Sequence, residues 1–282
     1  MIPDITAVRA LSSKPFKSRW KPVDLSCALA GQKKRKKVRT KLVRAPESAA
    51  VCVAEAVSHG FLRRLGLEVA ECHAVIVAEK FASELSKQYG FDPPVRAGRH
   101  WGTTFIGTGS IEIEFDESNV PGLHTPLDVF RIYLADIVLG NPDRDTQGNV
   151  LLTSSGDSLT QGIIPIDQSD SFNHPSCLMD ANALRNEADK PIAKWLPGIG
   201  AVMLAQSAGV AEQEMDRLIA LETTLCESTE ECPQEWLIGS GVDPAVIQAF
   251  MRGRIRNLKA LANVEYWNGL HEATGGGHVI GS

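Results

Sequence analysis

Near the N-terminus, two short segments alternate apolar and polar residues, which is the period of a half-buried strand. They run from Val23 to Leu29 and from Val38 to Leu42, on either side of a run of five basic residues from Lys33 to Lys37. The pattern predicts a hairpin with a solvated, basic connection, and contact of this connection with phosphate is the alternative. Residues 1–17 have no sustained period, and we expect a lead-in arm there.

A helical period follows the hairpin. Apolar residues recur at intervals of three and four from Val51 to Leu65, after Pro46, and Gly66 is placed to end the helix as its C-terminal cap. The downstream pattern predicts two strands and then a hinge with Pro and Gly: Val69 to Val77, Phe105 to Phe115, and Asn119 to His124.

The second half of the chain combines a helix, a polar loop and two short strands. Thr125 and Pro126 have the residue types of a helix start, and the apolar stripe from Leu127 to Val138 stops at Gly140. The elements that follow are a loop, two strands and a series of helices: Asn141 to Asn149, Val150 to Thr153, Ile163 to Ile166, and helices from Ala181 onward that include Leu218 to Leu225 and Val246 to Leu261. The Gly-rich segment from Gly275 is expected to be a flexible tail.

Composition narrows the class of protein. The 282 residues are 43% hydrophobic, enough for a full core, and the formal net charge of −5 argues against whole-chain binding of nucleic acid or of a membrane surface. No segment predicts a signal peptide or a membrane span, so we expect a cytoplasmic protein without membrane insertion. The six cysteines lie far apart and predict buried free thiols, although Cys226 and Cys232 flank an acidic segment and are expected to be solvated.

Three polar residues carry the candidate chemistry. Asp143 and Asn149 lie in one loop, and Asp167 directly follows the apolar strand that ends at Ile166. Phosphoryl transfer needs a carboxylate that orients the acceptor hydroxyl, a metal-binding amide soon after it, and a second carboxylate on the metal. A loop, strand, turn and strand in this order return Asp167 to the loop, so the sequence predicts that the three side chains share one site.

The stretch Asn141-Pro142-Asp143-Arg144, with Asn149 and the later Ile166-Asp167, resembles the catalytic and metal-binding loops of HipA-like kinases. Lys41 at the end of a predicted strand and Glu55 on the following helix agree with that pattern. The resemblance covers roughly Trp20 to Trp267. It implies that Lys41 binds the nucleotide phosphates and pairs with Glu55, that Asp143 is catalytic, and that Asn149 and Asp167 bind magnesium.

The resemblance also implies the fold class and the activity. The fold would be α+β and two-lobed, with an arm at 1–19, a small antiparallel-sheet lobe at 20–120, a helical catalytic lobe at 121–270 and a tail at 271–282. The activity would be transfer of a phosphoryl group from ATP, with Mg²⁺, to a hydroxyl. Protein serine or threonine and a small molecule or lipid head group both stay open as acceptors.

Departures from the family pattern leave alternatives open. Asp145 stands where related sequences often have His, and Asn149 follows Asp143 by six residues instead of five, so a nucleotide-binding pseudokinase that acts as an interaction module is one alternative. Arg39 lies two residues before Lys41 on the same strand face, which allows a shifted register. A calcium-binding module is the other alternative, because oxygen ligands alternate from Asp143 to Gly148, although Ser154 replaces the final Glu of such a loop. The roles of Asp170 and His174 stay undecided.

Overall fold

The computed structural model describes residues 2–29, 32, 34–104, 110–113, 126–144, 149–154, 161–188, 190 and 210–261. Its described part combines a small barrel, a second sheet and a set of helices. The expected hinge at 119–124, the tail, and the loop residues 145–148 lie outside the described residues. No helix of the described part is both long enough and apolar enough to cross a bilayer.

Five strands close into a barrel in the order β1-β2-β3-β5-β4. The strands are β1 (Asp4–Ala10), β2 (Val23–Ala28), β3 (Arg35–Lys41), β4 (Cys72–Val77) and β5 (Gly98–Thr104). The expected hairpin is present, since β2 and β3 pair antiparallel with Leu25 opposite Val38. The expectation of an arm without regular structure is wrong for residues 4–10, because β1 pairs with β2 and also with β4. A purely antiparallel sheet was expected, but the β1–β4 pair is parallel.

Two helices flank the barrel. The first, α1 (Pro46–Arg64), begins where Ser48 Oγ accepts hydrogen bonds from the backbone N–H groups of Arg44 and Ala45, and it ends before Gly66 with φ of 86°. Such a left-handed backbone favours glycine, as the sequence predicts. The second, α2 (Glu79–Tyr89), covers one end of the barrel core with Ala82 and Leu85.

The second sheet and α3 carry the candidate loops. The second sheet has three antiparallel strands in the order β6 (Ser110–Ile113), β7 (Val150–Ser154) and β8 (Gln161–Pro165). Helix α3 (Pro126–Leu139) precedes the loop that contains Asp143, and Gly140 with φ of 61° ends the helix. Asp167 lies two residues beyond β8.

The remaining helices bury α1 and α3 in a common core. They are α4 (Pro175–Leu178), α5 (Ala181–Glu187), α6 (Val210–Ala220), α7 (Glu222–Cys226), α8 (Gln234–Ser240), α9 (Pro244–Arg256) and α10 (Leu258–Leu261), with 3-10 turns at Ser171–Asn173 and Glu227–Glu231. Helix α1 packs against α4, α8 and the second of these turns. Cys226 and Cys232 are free but buried in this core, which corrects the expectation that they are solvated.

Candidate functional site

A cavity of about 690 Å³ opens between the barrel and the second sheet. Its walls come from β3 and β5, from α1, and from the residues that follow β8. The connection between β1 and β2 (residues 11–22) adds Phe16, Lys17 and Ser18 to its rim. Lys41, Glu55 and Asp167 all lie on the wall of this cavity, so the fold brings together residues that are up to 126 positions apart in sequence.

Lys41 is the centre of the cluster of charges in this cavity. Its Nζ contacts Glu55 Oε1 and lies 2.5 Å from Asp167 Oδ1. Burial alone would lower the pKa of Lys41, but the two carboxylates outweigh it and raise the pKa. The predicted contact between Lys41 and Glu55 is therefore confirmed. The register with Lys41 in the cavity holds, while Arg39, which also lines the wall, pairs with Asp24.

Glu55 is a charged group inside the helical core. It is 4% exposed on α1, and its Oε1 also accepts a hydrogen bond of 3.1 Å from the Gln168 N–H. Burial raises the pKa of Glu55, and the ammonium of Lys41 opposes that rise. A buried carboxylate is stable only where such donors form hydrogen bonds or ion pairs with it. Glu55 thus connects β3, α1 and the segment after β8.

Asp167 occupies a strained position at the end of the second sheet. Its φ of 51° lies in the left-handed region, which is costly for a non-glycine residue and is concentrated at functional sites. Burial would raise the pKa of Asp167, but Lys41 and the hydroxyl of Ser169, 2.5 Å from Oδ1, lower it to about 2. No Lys or Arg lies beside Asp167 in the sequence, and the compensating cation is Lys41 from a distant strand.

Asp143 and Asn149 are brought together despite their longer spacing. Asn149 Nδ2 donates to the Asp143 carbonyl at 2.9 Å and lies 3.3 Å from Asp143 Oδ2. The Ile166 N–H donates to the Asn149 carbonyl at 2.9 Å, which ties this loop to the residue before Asp167. The two loops predicted to share a site are therefore adjacent.

A buried ion pair that the sequence did not predict fixes this arrangement. Arg144 and Asp136 are each 1% exposed, and the guanidinium of Arg144 donates to both carboxylate oxygens of Asp136 at 2.9 and 3.0 Å. The same guanidinium donates to the carbonyls of Asn149 and Ile166 and to Gln168 Oε1. One side chain thereby holds α3 and both candidate loops. The available signal was a single carboxylate, Asp136, in the apolar stripe of α3.

Asp170 adds a further carboxylate beside the site. Burial raises the pKa of Asp170, and the negative charges of Asp143 and Asp167 raise it further. Arg19 of the β1–β2 connection reaches Asp170 at 3.5 Å. Its neighbour Trp20 lies 6.3 Å, centre to centre, from the ring of His174. The connection therefore contacts the segment after Asp167.

The described residues contain no group of three or more His, Cys, Asp or Glu side chains arranged to hold a metal ion by themselves. The calcium-loop alternative depends on residues 145–148, outside the described part, and it stays a prediction. The metal ligands that the resemblance implies are one carboxylate, Asp167, and one amide, Asn149. A cation bound there would need further oxygen ligands from a nucleotide or from water.

Comparison with known proteins supports the fold. The structure is similar to that of a Helicobacter pylori proinflammatory kinase, CtkA, with a TM-score of 0.54 and 14% sequence identity over 92% of this chain and 95% of that chain. No family model matches the sequence, and no curated protein matches it. At this identity the likeness is one of fold. The chain is thus a mixed α/β protein whose overall fold is similar to that of a kinase.

Proposed function

We propose that the chain is a HipA-like phosphotransferase that uses ATP and Mg²⁺ to phosphorylate a hydroxyl. The observation that carries the proposal is the position of Lys41, held between Glu55 and Asp167 on the wall of the cavity. A lysine so placed is suited to bind the phosphates of a nucleotide, since its raised pKa keeps it charged. The overall similarity to a kinase structure supports the same reading.

The residues present fit a magnesium ion only together with a nucleotide. Magnesium is usually bound by one or two carboxylates, with phosphate and water oxygens completing its shell. Asp167 is 39% exposed on the cavity wall. Asn149 directs its Nδ2 to Asp143, and its Oδ1 is the atom that would bind the cation. The ion, when bound, supplies positive charge that stabilises the transferring phosphoryl group.

Asp143 is proposed to accept the proton of the attacking hydroxyl. Its side chain is half-buried and accepts a hydrogen bond of 3.3 Å from Asn149 Nδ2, and its backbone N–H donates to Asn141 Oδ1 at 3.1 Å. Glu55 fixes Lys41, and Arg144 fixes the two loops relative to each other. These contacts position the reacting groups before the substrate arrives, which is the main contribution that a protein makes to phosphoryl transfer.

A nucleotide-binding module without transfer activity is the second candidate. The ammonium of Lys41 already neutralises Asp167, so the charge of this pair is balanced without a metal ion.

The acceptor of the phosphotransferase is proposed to be protein serine or threonine on the resemblance to HipA-like kinases, whereas the wider protein-kinase-like fold favours a small molecule or lipid head group.

The substitution Asp167→Asn separates the two candidates. It should lower Mg²⁺-dependent transfer from γ-labelled ATP by at least about a hundredfold, because the metal would lose its carboxylate. The readout is label released as phosphate or transferred to the protein or to a mixed Ser/Thr peptide pool. Asp216→Asn, on an exposed carboxylate of α6, is the matched control and should leave the rate unchanged. Nucleotide binding without any turnover by the wild-type protein would favour the binding module.

A further inference from the structure

The charges of this chain are strongly segregated. Residues 1–44 contain 13 of the 29 Lys and Arg residues but only 2 of the 34 Asp and Glu residues. Their formal charge is therefore +11 (13 minus 2), whereas the whole chain has −5. Residues 1–44 therefore form a positively charged part of the chain, although the net charge of the whole chain is negative.

The strand pairing collects these cations on one surface. Val38 and Thr40 of β3 are buried toward the barrel interior, so Arg35, Lys37 and Arg39 point to the outer face. Ser26 of β2 is paired with Lys37 on one side and with Arg9 of β1 on the other, which places Arg9 on the same face. We call the outer surface formed by Arg9, Arg35, Lys37 and Arg39 the basic face. The row on β3 continues to Lys41 in the cavity.

Acidic residues compensate the basic face only in part. Asp24 is the carboxylate that contacts Lys37 at 2.8 Å and Arg39 at 3.2 Å. Arg9 and Arg35 are exposed and form no ion pair with any residue of the described part. On the helices, in contrast, Arg131 and Arg256 are held by glutamates at 2.9 and 2.8 Å. The positive charges of Arg9 and Arg35 are thus available to a partner.

Apolar side chains accompany these cations. Of the four large hydrophobic residues that are exposed in the described part, three lie on β1 and the connection after it: Val8, Leu11 and Phe16. The ring of Phe16 is covered by the guanidinium of Arg39, 3.9 Å from its centre, and Trp20 lies against Arg19 and near His174. Single-stranded nucleic acid binds by stacking bases on open aromatic faces. Arg39 already occupies one face of the Phe16 ring, and the exposed aliphatic side chains of Val8 and Leu11 fit a protein segment better.

We propose that the basic face and the adjoining apolar residues bind an acidic, apolar-containing protein segment in an extended conformation. Outward side chains of β3 recur at about 6.6–6.8 Å, which equals the spacing of alternate side chains in an extended peptide. Because the row ends at Lys41, the segment is assigned to the protein that carries the phosphoacceptor hydroxyl. That last assignment rests on the proposed function, whereas the docking itself does not.

Fluorescence anisotropy without nucleotide tests the docking. The probe is a labelled peptide rich in Glu with interspersed Leu and one Ser, compared with its Gln analogue, a uridine oligonucleotide and phosphatidylserine-containing vesicles. The acidic peptide should bind most tightly, and added salt should weaken it. Arg9→Glu with Arg35→Glu should weaken it by about tenfold or more, since the charges are reversed at the contact. The neutral pair Arg9→Gln with Arg35→Gln should give a smaller loss and guards against misfolding.

The matched control reverses two cations on α2. Lys80 and Lys87 are exposed and unpaired among the described residues, and Lys80→Glu with Lys87→Glu changes the net charge equally. This control should change peptide affinity by less than about twofold. An equal loss in both pairs, no binding of the peptide, or tighter binding of the oligonucleotide or vesicles would overturn the proposal. Nucleotide binding is measured separately, so failure of docking and failure of the proposed function are distinguishable.

Discussion

At the scale of single residues, Lys41 connects three parts of the chain through charge. Glu55 is buried and has a raised pKa, whereas Asp167 is more open and has a pKa lowered to about 2. The more open carboxylate, Asp167, is therefore the one from which a phosphate can displace Lys41 at least cost. The strained backbone at Asp167 keeps this carboxylate beside the cavity.

The stability of the protein should depend on the ionisation of Asp167. Its folded pKa of about 2 lies below the ordinary value of about 3.9, so its contribution is complete above about pH 4 and is lost as the pH falls toward 2. In urea unfolding, the difference in free energy between the wild type and Asp167→Asn should shrink over that range. A difference that stays constant from pH 6 to pH 2 would contradict the ion pair with Lys41.

Breaking the buried pair of Arg144 and Asp136 should lower the free energy of unfolding far more than breaking an exposed contact. Arg144→Leu leaves Asp136 buried without its cation and should lower the free energy of unfolding by about 3–5 kcal/mol. Arg185→Leu, which removes an exposed arginine of α5 that contacts Asn182, should change it by less than about 0.5 kcal/mol. Urea titration of both variants measures the two effects. Similar losses would show that Arg144 does not hold the loops.

At the scale of elements, the sequence predicted those with a clear hydrophobic period and missed those without one. The hairpin of β2 and β3 and the start and end of α1 follow from alternation, from Pro46 and from Gly66. Strand β1 was missed because only Ile5 and Ala7 point inward and a bulge after Ala7 breaks the alternation. Its closure of the barrel depends on pairing with β4, some 70 residues away, which no local pattern encodes.

The candidate site could be predicted only for contacts that a motif implies. The resemblance to HipA-like kinases implied Lys41, Glu55 and the contact between them, whereas the position of Asp167 followed from the apolar strand that precedes it. The bond from Lys41 to Asp167 and the pair of Arg144 with Asp136 depend on tertiary packing. An arginine beside Asp143 in a polar loop is expected to be solvated, yet it is buried where α3 meets the two loops.

Close packing inside the barrel should make one glycine of β5 indispensable. A methyl group on Gly102 would lie 2.5 Å from side-chain carbons of both Val38 and Val75. Gly102→Ala should therefore destabilise the protein by about 1–3 kcal/mol. Gly253→Ala is the control, because nothing lies within 4 Å of its added methyl in α9, and it should stabilise by about 0.5–1 kcal/mol. Thermal unfolding of the two variants should thus shift in opposite directions.

At the scale of the whole molecule, the cavity lies where the barrel meets the second sheet, with Lys41 on its barrel wall and Asp167 on the wall that follows the second sheet. Lys41 and the basic face belong to the barrel, whereas Asp143, Asp167 and Asp170 belong to the loops beside the second sheet. A triphosphate with a divalent cation suits this division, because the phosphates can contact Lys41 while the cation faces the carboxylates. The proposed nucleotide therefore joins the two sides.

Isothermal titration of ATP in the presence of Mg²⁺ tests this central claim most directly. The wild-type protein should bind one ATP, and at about a hundred times the dissociation constant the ligand should stabilise the fold by about 2.7 kcal/mol. Chelation of the metal should weaken ATP binding, because the phosphates lose the metal cation. Lys41→Met should also weaken it, because the phosphates lose the ammonium of Lys41. Absence of heat at millimolar ATP, or unchanged affinity in Lys41→Met, would contradict the account.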